Sequence, residues 1–185
     1  MGKDISLKFY PDSYIVLDIE TTGLSPLKDE IIELSAIKIV EGEIVETFSK
    51  LVKPEGKVSY FISNLTGITN EMLKNADSIE SVLSDFYEFV GLSVIMGHNV
   101  KFDIRFLDFN LRKYLNIPFS NDFIDTLRIA KYFLRELKSH RLGVLAEYFE
   151  FDSKGMHRAL KDCHVTNLCY MKFLEMQKLQ ELQLK

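Results

Sequence analysis

The chain has no tryptophan and only two cysteines, four prolines and nine glycines in 185 residues. Each scarcity removes a class of protein. Cys163 and Cys169 lie six apart in a stretch with helical patterning, so their side chains diverge around the helix axis and make no disulfide framework. A reducing cytoplasm is the compartment this cysteine usage fits. So little Pro and Gly, beside 46% hydrophobic and 27% charged residues, excludes collagen-like and low-complexity chains. No apolar run reaches the roughly 18–20 residues of a membrane span, and Met1-Gly2-Lys3-Asp4 lacks the basic-then-apolar build of a signal peptide. Positive charge is short too: 23 Lys and Arg against 27 Asp and Glu give a net charge of -4, the wrong sign for holding a polyanion by bulk charge. What remains is a globular chain of a length that suits one domain, 1–185, with a core over residues 13–175 and short ends that fray.

Residues Ser13 to Ile19, Glu30 to Val40 and Glu43 to Lys53 are rich in Ile, Val and Leu and break at turn residues, which predicts three strands with a hairpin turn at Glu41-Gly42. After Asp77 the pattern changes. Ile79, Val82, Leu83, Phe86 and Val90 form the stripe of an amphipathic helix, with Asp77 and Glu80 placed as a capping box. Two short apolar strands, Val94 to Gly97 and Phe123 to Asp125, each precede a helical stretch, over Asp103 to Leu115 and Leu127 to Leu137. Further helices are expected over Arg141 to Phe149 and Arg158 to Leu179, with a polar tail after Glu175. The sum is an α/β fold: a mixed central sheet of three antiparallel strands followed by parallel ones, flanked by helices.

Three segments carry acidic chemistry. In Tyr14-Ile15-Val16-Leu17-Asp18-Ile19-Glu20-Thr21-Thr22-Gly23, strand alternation sends Asp18 and Glu20 to one face, side by side at a strand end. Like charges so close select a hard divalent cation, although a solvated strand end or a Lys/Arg pairing explains an isolated Asp-x-Glu more simply. His98-Asn99-Val100-Lys101-Phe102-Asp103 follows an apolar strand, at the edge where open α/β sheets bind ligands. Asp103 fits a helix N-cap equally well, and Asn99 an Asx turn. In Gly155-Met156-His157-Arg158-Ala159-Leu160-Lys161-Asp162, the last acid faces the apolar side of a helix and needs a partner there. Positions 157 and 162 of one helix would stand roughly 140° apart, so both reach one site only with His157 in a loop and Asp162 on the helix. Four acids and a histidine fit metal-assisted phosphoryl chemistry, with a near-neutral imidazole to take a proton from water. His98, His140 and His164 compete with His157 for that role on spacing alone.

These residues in this order resemble the DEDDh exonucleases, the proofreading-type 3′-to-5′ exonucleases with a ribonuclease-H-like fold. The likeness rests on Asp18-Ile19-Glu20-Thr21-Thr22-Gly23-Leu24, Leu65-Thr66-Gly67-Ile68-Thr69, His98 to Asp103 and His157 to Asp162, and it runs from Tyr14 to Phe173. The resemblance implies that Asp18, Glu20, Asp103 and Asp162 organise two Mg²⁺ or Mn²⁺ ions and that His157 is the general base. It further implies that Ile19, Thr21, Thr22, Gly23 and Leu24, with Leu65, Thr66, His98 and Phe102, contact the terminal nucleotide; for Leu24, Leu65 and Phe102, ordinary core packing is the competing explanation. The expected substrate is a single-stranded 3′ end, DNA before RNA, releasing nucleoside 5′-monophosphates, with a DNA polymerase as a candidate partner. RNA trimming by the same chemistry, a non-catalytic nucleic-acid-binding module and a small-molecule phosphodiesterase are the alternatives. On this reading the net acidity is partly a metal requirement, since two divalent ions bring the sum to about zero.

Overall fold

The computed structural model describes residues 2–6 and 11–183. Strand β1 (Ser13–Thr21) lies at the centre of the sheet because it is apolar on both faces: Ile15, Leu17 and Ile19 enter one core while Tyr14 and Val16 enter another. It pairs antiparallel with β2 (Ile31–Val40), which pairs antiparallel with β3 (Glu43–Leu51), and on its other side it runs parallel to the short strand β4 (Ile95–Gly97). Strand β5 (Phe123–Asp125) continues the parallel half, giving the order β3-β2-β1-β4-β5. Glu41 and Gly42 turn the β2–β3 hairpin with positive φ at both positions, 53° and 87°, the backbone that matches the twist of a two-residue hairpin.

Helices cover both faces. α3 (Ile79–Val90) and α4 (Lys101–Leu115) pack one side through Val82, Leu83, Phe86, Ile104, Leu107 and Leu111. α5 (Thr126–Phe133), α6 (Leu142–Tyr148) and the long α7 (Ala159–Gln183) close the other through Ile129, Leu145, Cys163, Cys169 and Phe173. Two short helices precede α3 in the chain: α1 (Tyr60–Thr66) and α2 (Asn70–Leu73). They cover a small satellite core of Ile32, Val58, Ile68 and Leu73.

The structure corrects several expectations. The N-cap of α3 is Ser78, whose hydroxyl accepts from Ser81 N, so Asp77 sits one residue outside and makes no capping box. α4 begins at Lys101, which puts Asp103 within its first turn rather than at the cap. α5 ends at Phe133, four residues early, and α7 continues through the polar stretch after Glu175 to Gln183. Residues near the N-terminus also have structure. Phe123 N donates to Lys3 O and Ile5 N donates to Phe123 O, so this segment covers the open edge of β5.

Candidate active site

The carboxylates converge because three different elements end at one place. Asp18 and Glu20 project from the C-terminal part of β1, with Ile19 buried between them. A register shift between Glu20 and Thr21, where Thr21 pairs with Ile31 instead of Ile32, ends the regular ladder beside the acids. Asp103 reaches them from the first turn of α4, where it is buried and accepts a hydrogen bond from Ile19 N at 3.1 Å. Asp162 comes from the first turn of α7 and is 7% exposed. Carboxylate oxygens of Asp18, Glu20 and Asp162 all lie within 4.8 Å of one another. Asp103 stands behind this trio, close enough to raise the proton affinity of Asp18.

Electrostatics record the crowding. Burial, then the neighbouring charges of Asp103, Asp162 and Glu20, hold Asp18 well above the ordinary carboxylate range. Asp103 is raised by burial against the opposing effect of its backbone hydrogen bonds. Glu20 is pushed up to about 8 by burial and by Asp162 and Glu33, and Asp162 to about 6, chiefly by burial. Asp162 Oδ2 accepts from His157 N at 3.2 Å, whereas its buried Oδ1 has no hydrogen-bond partner among the described residues. A buried oxygen left so, at the centre of a carboxylate cluster, fits a cation rather than a packed core. Asp18, Glu20 and Asp162, with Asp103 behind them, are thus a donor set suited to hard divalent ions.

These shifts have a consequence for stability. Glu20 and Asp162 bind protons more tightly folded than unfolded, so the stability they contribute is complete below the ordinary carboxylate pKa of about 4 and is lost as pH rises through about 6 and about 8. Metal-free protein should therefore melt at falling temperature across that window, and Mg²⁺ should restore more of the loss at each higher pH. Thermal melts in EDTA and in Mg²⁺ test this, and an EDTA profile flat over the window would contradict it.

His157 lies in the loop before α7, exposed, in the left-handed region at φ 65°, with Asp162 on the helix as their spacing required. His98 lies differently from the other site candidates. Its Nε2 donates to His140 O at 2.8 Å and its Nδ1 is 3.0 Å from Thr126 Oγ1, so both ring nitrogens are engaged within the chain. Burial lowers its pKa to about 4, leaving a neutral ring that braces the end of β4 against the segment before α6. His140 Nε2 in turn bonds Leu134 O at 2.8 Å.

A pocket of about 440 Å³ opens at Glu20, lined by Ile19 to Leu24, Ser59, Phe61, Ile62, Leu65, Thr66 and Phe102. It gathers every residue that the sequence offered for the terminal nucleotide except His98. Leu24 is 82% exposed and Leu65 42%, which core packing would not produce; Phe102 is half-buried against Phe106. The loop is stiff. Thr21 Oγ1 donates to Gly23 O at 2.6 Å, Thr22 and Glu30 exchange two hydrogen bonds, and a Cβ at Gly23 would meet the Asp29 carboxylate at 2.4 Å. A larger cleft of about 800 Å³ is lined by His98, Asn99, His157 and Asp162 together with Lys131, Lys138 and Arg141.

Two acids and one aromatic residue escaped the sequence reading. Glu33 is 2% exposed on β2, directly opposite Glu20, and accepts from Arg158 Nη2 at 2.7 Å, from Arg158 Nε at 3.2 Å and from Ala159 N at 2.9 Å. Asp125, also buried, accepts from Asn99 N at 2.9 Å and caps α5 through Leu127 N. Phe61, 72% exposed, shares the apolar pocket. A lone acid inside the apolar run Ile31-Ile32-Glu33-Leu34 was the available signal for the first.

The five-stranded mixed sheet with helices on both faces, carrying clustered acids at the end of its central strand, places the chain among ribonuclease-H-like folds. The chain belongs to the exonuclease family, whose model matches residues 15–170. It is 42% identical over 172 residues to the PolC-type DNA polymerase III of Caldanaerobacter subterraneus subsp. tengcongensis, covering 93% of this chain but 12% of that relative's length. It is 40% identical over 163 residues to the DNA polymerase III subunit epsilon of Aquifex aeolicus, covering 88% of this chain and 81% of the relative. Among solved structures, Escherichia coli exonuclease I with a dA16 oligonucleotide superposes with a TM-score of 0.75 at 21% identity, over 85% of this chain and 40% of that one. Exonuclease X with a 5′-overhanging duplex DNA gives 0.69 at 24% identity, over 88% and 92%. Among the described residues no helix is long and apolar enough to cross a membrane.

Proposed function

We propose that this chain is a 3′-to-5′ exonuclease that removes nucleoside 5′-monophosphates from single-stranded DNA ends, within or beside a bacterial replicative polymerase. The observation that carries the reading is the carboxylate trio with its orphaned Asp162 oxygen, which shares Glu20 with an apolar pocket and Asp162 with an open cleft. Asp18, Glu20 and Asp162, supported by Asp103, would hold two divalent ions, which supply Lewis-acid stabilisation of the attacking and leaving oxygens of a phosphodiester. The chain's own residues do the rest. His157, exposed on its loop at the edge of the cleft, takes the proton of the attacking water. Leu24, Leu65 and Phe102 present apolar surface to the terminal base without reading its identity, which suits trimming of any sequence. Polymerase subunits among the relatives favour DNA over RNA and a proofreading setting.

The test is digestion of 5′-labelled single-stranded DNA and RNA in Mg²⁺, in Mn²⁺ and in EDTA. A metal-dependent ladder shortening from the 3′ end, faster on DNA, is expected; no ladder in either metal would refute the reading. His157→Ala should slow that ladder by roughly 10²–10⁴-fold while the protein stays folded, and a wild-type rate would remove His157 from the base role.

A further inference from the structure

The 800 Å³ cleft that includes Asp162 has a charge pattern opposite to that of the molecule. Its lining includes three cations, Lys131 on α5, Lys138 in the connecting segment and Arg141 at the start of α6. Besides Asp162 it includes one acid, Glu147. Among the described residues the ion pairs engage other cations, and none of these three takes part. All three are exposed. In a chain with a net charge of -4, three solvated cations sharing one cleft wall with His157 and Asp162 make a local positive field that ends at the acids.

The rim is also held in place. His98 Nε2 donates to His140 O at 2.8 Å, and His140 Nε2 bonds Leu134 O at 2.8 Å. The segment bearing Lys138 and Arg141 is thereby tied both to the end of β4, where the site lies, and to the end of α5. Burial keeps His98 neutral, so this tie holds at neutral pH. Long cationic side chains on a braced loop suit the repeated, singly charged phosphates of a nucleic-acid strand, which recognition by a lone ion site would not require.

We infer that Lys131, Lys138 and Arg141 form a track for the phosphodiester backbone of the single strand lying 5′ of the bond to be cut. The inference rests on the exonuclease reading above and adds to it the strand's path: terminal base in the apolar pocket, scissile phosphate at the acids, upstream phosphates along this rim. The apolar pocket is lined in part by Glu20 and the cleft by Asp162, two acids of one cluster, so a strand with its end seated in the pocket has the cleft as its continuation past the acids. His98 then acts as a positioning residue for the rim.

The experiment is fluorescence anisotropy of labelled single-stranded DNA, with Ca²⁺ in place of Mg²⁺, across a potassium chloride series. It compares the wild type with the triple variant K131Q/K138Q/R141Q, whose changes are all at the surface. Three lost contacts at about 0.7 each should reduce the slope of log affinity against log salt by about 2, which is roughly a twentyfold difference over a fourfold change in salt. An unchanged slope overturns the track. Cleavage is measured separately in Mg²⁺. A wild type that binds with the predicted slope change but never cuts would sink the exonuclease reading and leave the track standing. Cleavage by both proteins with identical salt dependence would do the reverse.

Discussion

Asp18→Asn should lose nearly all nuclease turnover and yet melt at a higher temperature than the wild type in EDTA at alkaline pH. The two effects have one cause. Asp18 lies in the trio whose oxygens gather within 4.8 Å, with Asp103 behind it, and without cations this cluster repels itself. Its proton affinity is raised by burial first and by four neighbouring acids next, so at pH above the ordinary carboxylate range the folded state must either charge Asp18 unfavourably or carry a proton the unfolded chain does not need. Asparagine removes that penalty while keeping the side chain's size. The gain, a few degrees in melting temperature, should be absent well below the ordinary Asp pKa of about 4, where the unfolded carboxylate is itself protonated, and should grow toward pH 8, through the range in which Asp162 and Glu20 also discharge their protons. In Mg²⁺ the order should invert, because the wild type gains binding energy from ions that the variant holds poorly. Turnover in Mg²⁺ should fall on the order of a thousandfold, the scale of losing an electrostatic contact made in the transition state. Calorimetry in EDTA and Mg²⁺, with the oligonucleotide assay beside it, measures all three. A variant less stable than the wild type in EDTA at alkaline pH would mean that the acids are stabilised by the fold itself and not held in readiness for cations.

Much of this arrangement was legible because its signals are local. The two-residue period of β1 sorts Asp18 and Glu20 to one face and is enforced by a core on each side, and Glu41-Gly42 is a short-range turn signal. Helix geometry required a loop position for His157 if it was to share a site with Asp162, and the family resemblance, not spacing, singled it out from the other histidines. The illegible parts depend on pairings between distant segments. Arg158 meets Glu33 across 125 positions, and nothing within Ile31 to Val40 names the partner. The brace made by His98 needs a carbonyl 42 residues away, so in sequence the ring reads as a free ligand beside Asp103. β4 and β5 hold only three residues each, too few for a period, and the segment around Lys3 to Ile5 becomes part of the sheet edge only because Phe123 offers it hydrogen bonds. Ser78 and Asp77 are both good caps, and the choice between them was made by where the apolar face of α3 meets its core.

The second large effect belongs to the Glu33–Arg158 pair. Arg158→Met should lower the melting temperature by roughly 10 °C, taking about 3 kcal/mol for breaking a buried pair, the lower end of that range, and about 2–4 °C per kcal/mol at this chain length. The lower end applies because the Arg158 side chain is 42% exposed and keeps part of its hydration, whereas that of Glu33 is 3% exposed and would be left charged in the interior with only Ala159 N as donor. Arg158 also sits where its charge favours the ionised form of Glu20, so its loss adds to the repulsion among the acids. Replacing both partners, Glu33→Met with Arg158→Met, should recover most of the stability, since an apolar pair carries no desolvation cost. Turnover should not recover with it. His157 holds a left-handed φ of 65° that a non-glycine residue keeps only when its surroundings impose it, and the residues directly after it are the two that bind Glu33. With the pair gone, the imidazole is free to leave the placement that the proposed base role needs, so kcat should stay at least about tenfold low with the KM for DNA little changed, a loss of orientation rather than of binding. A double variant that regained both melting temperature and kcat would confine the pair to holding β2 against α7.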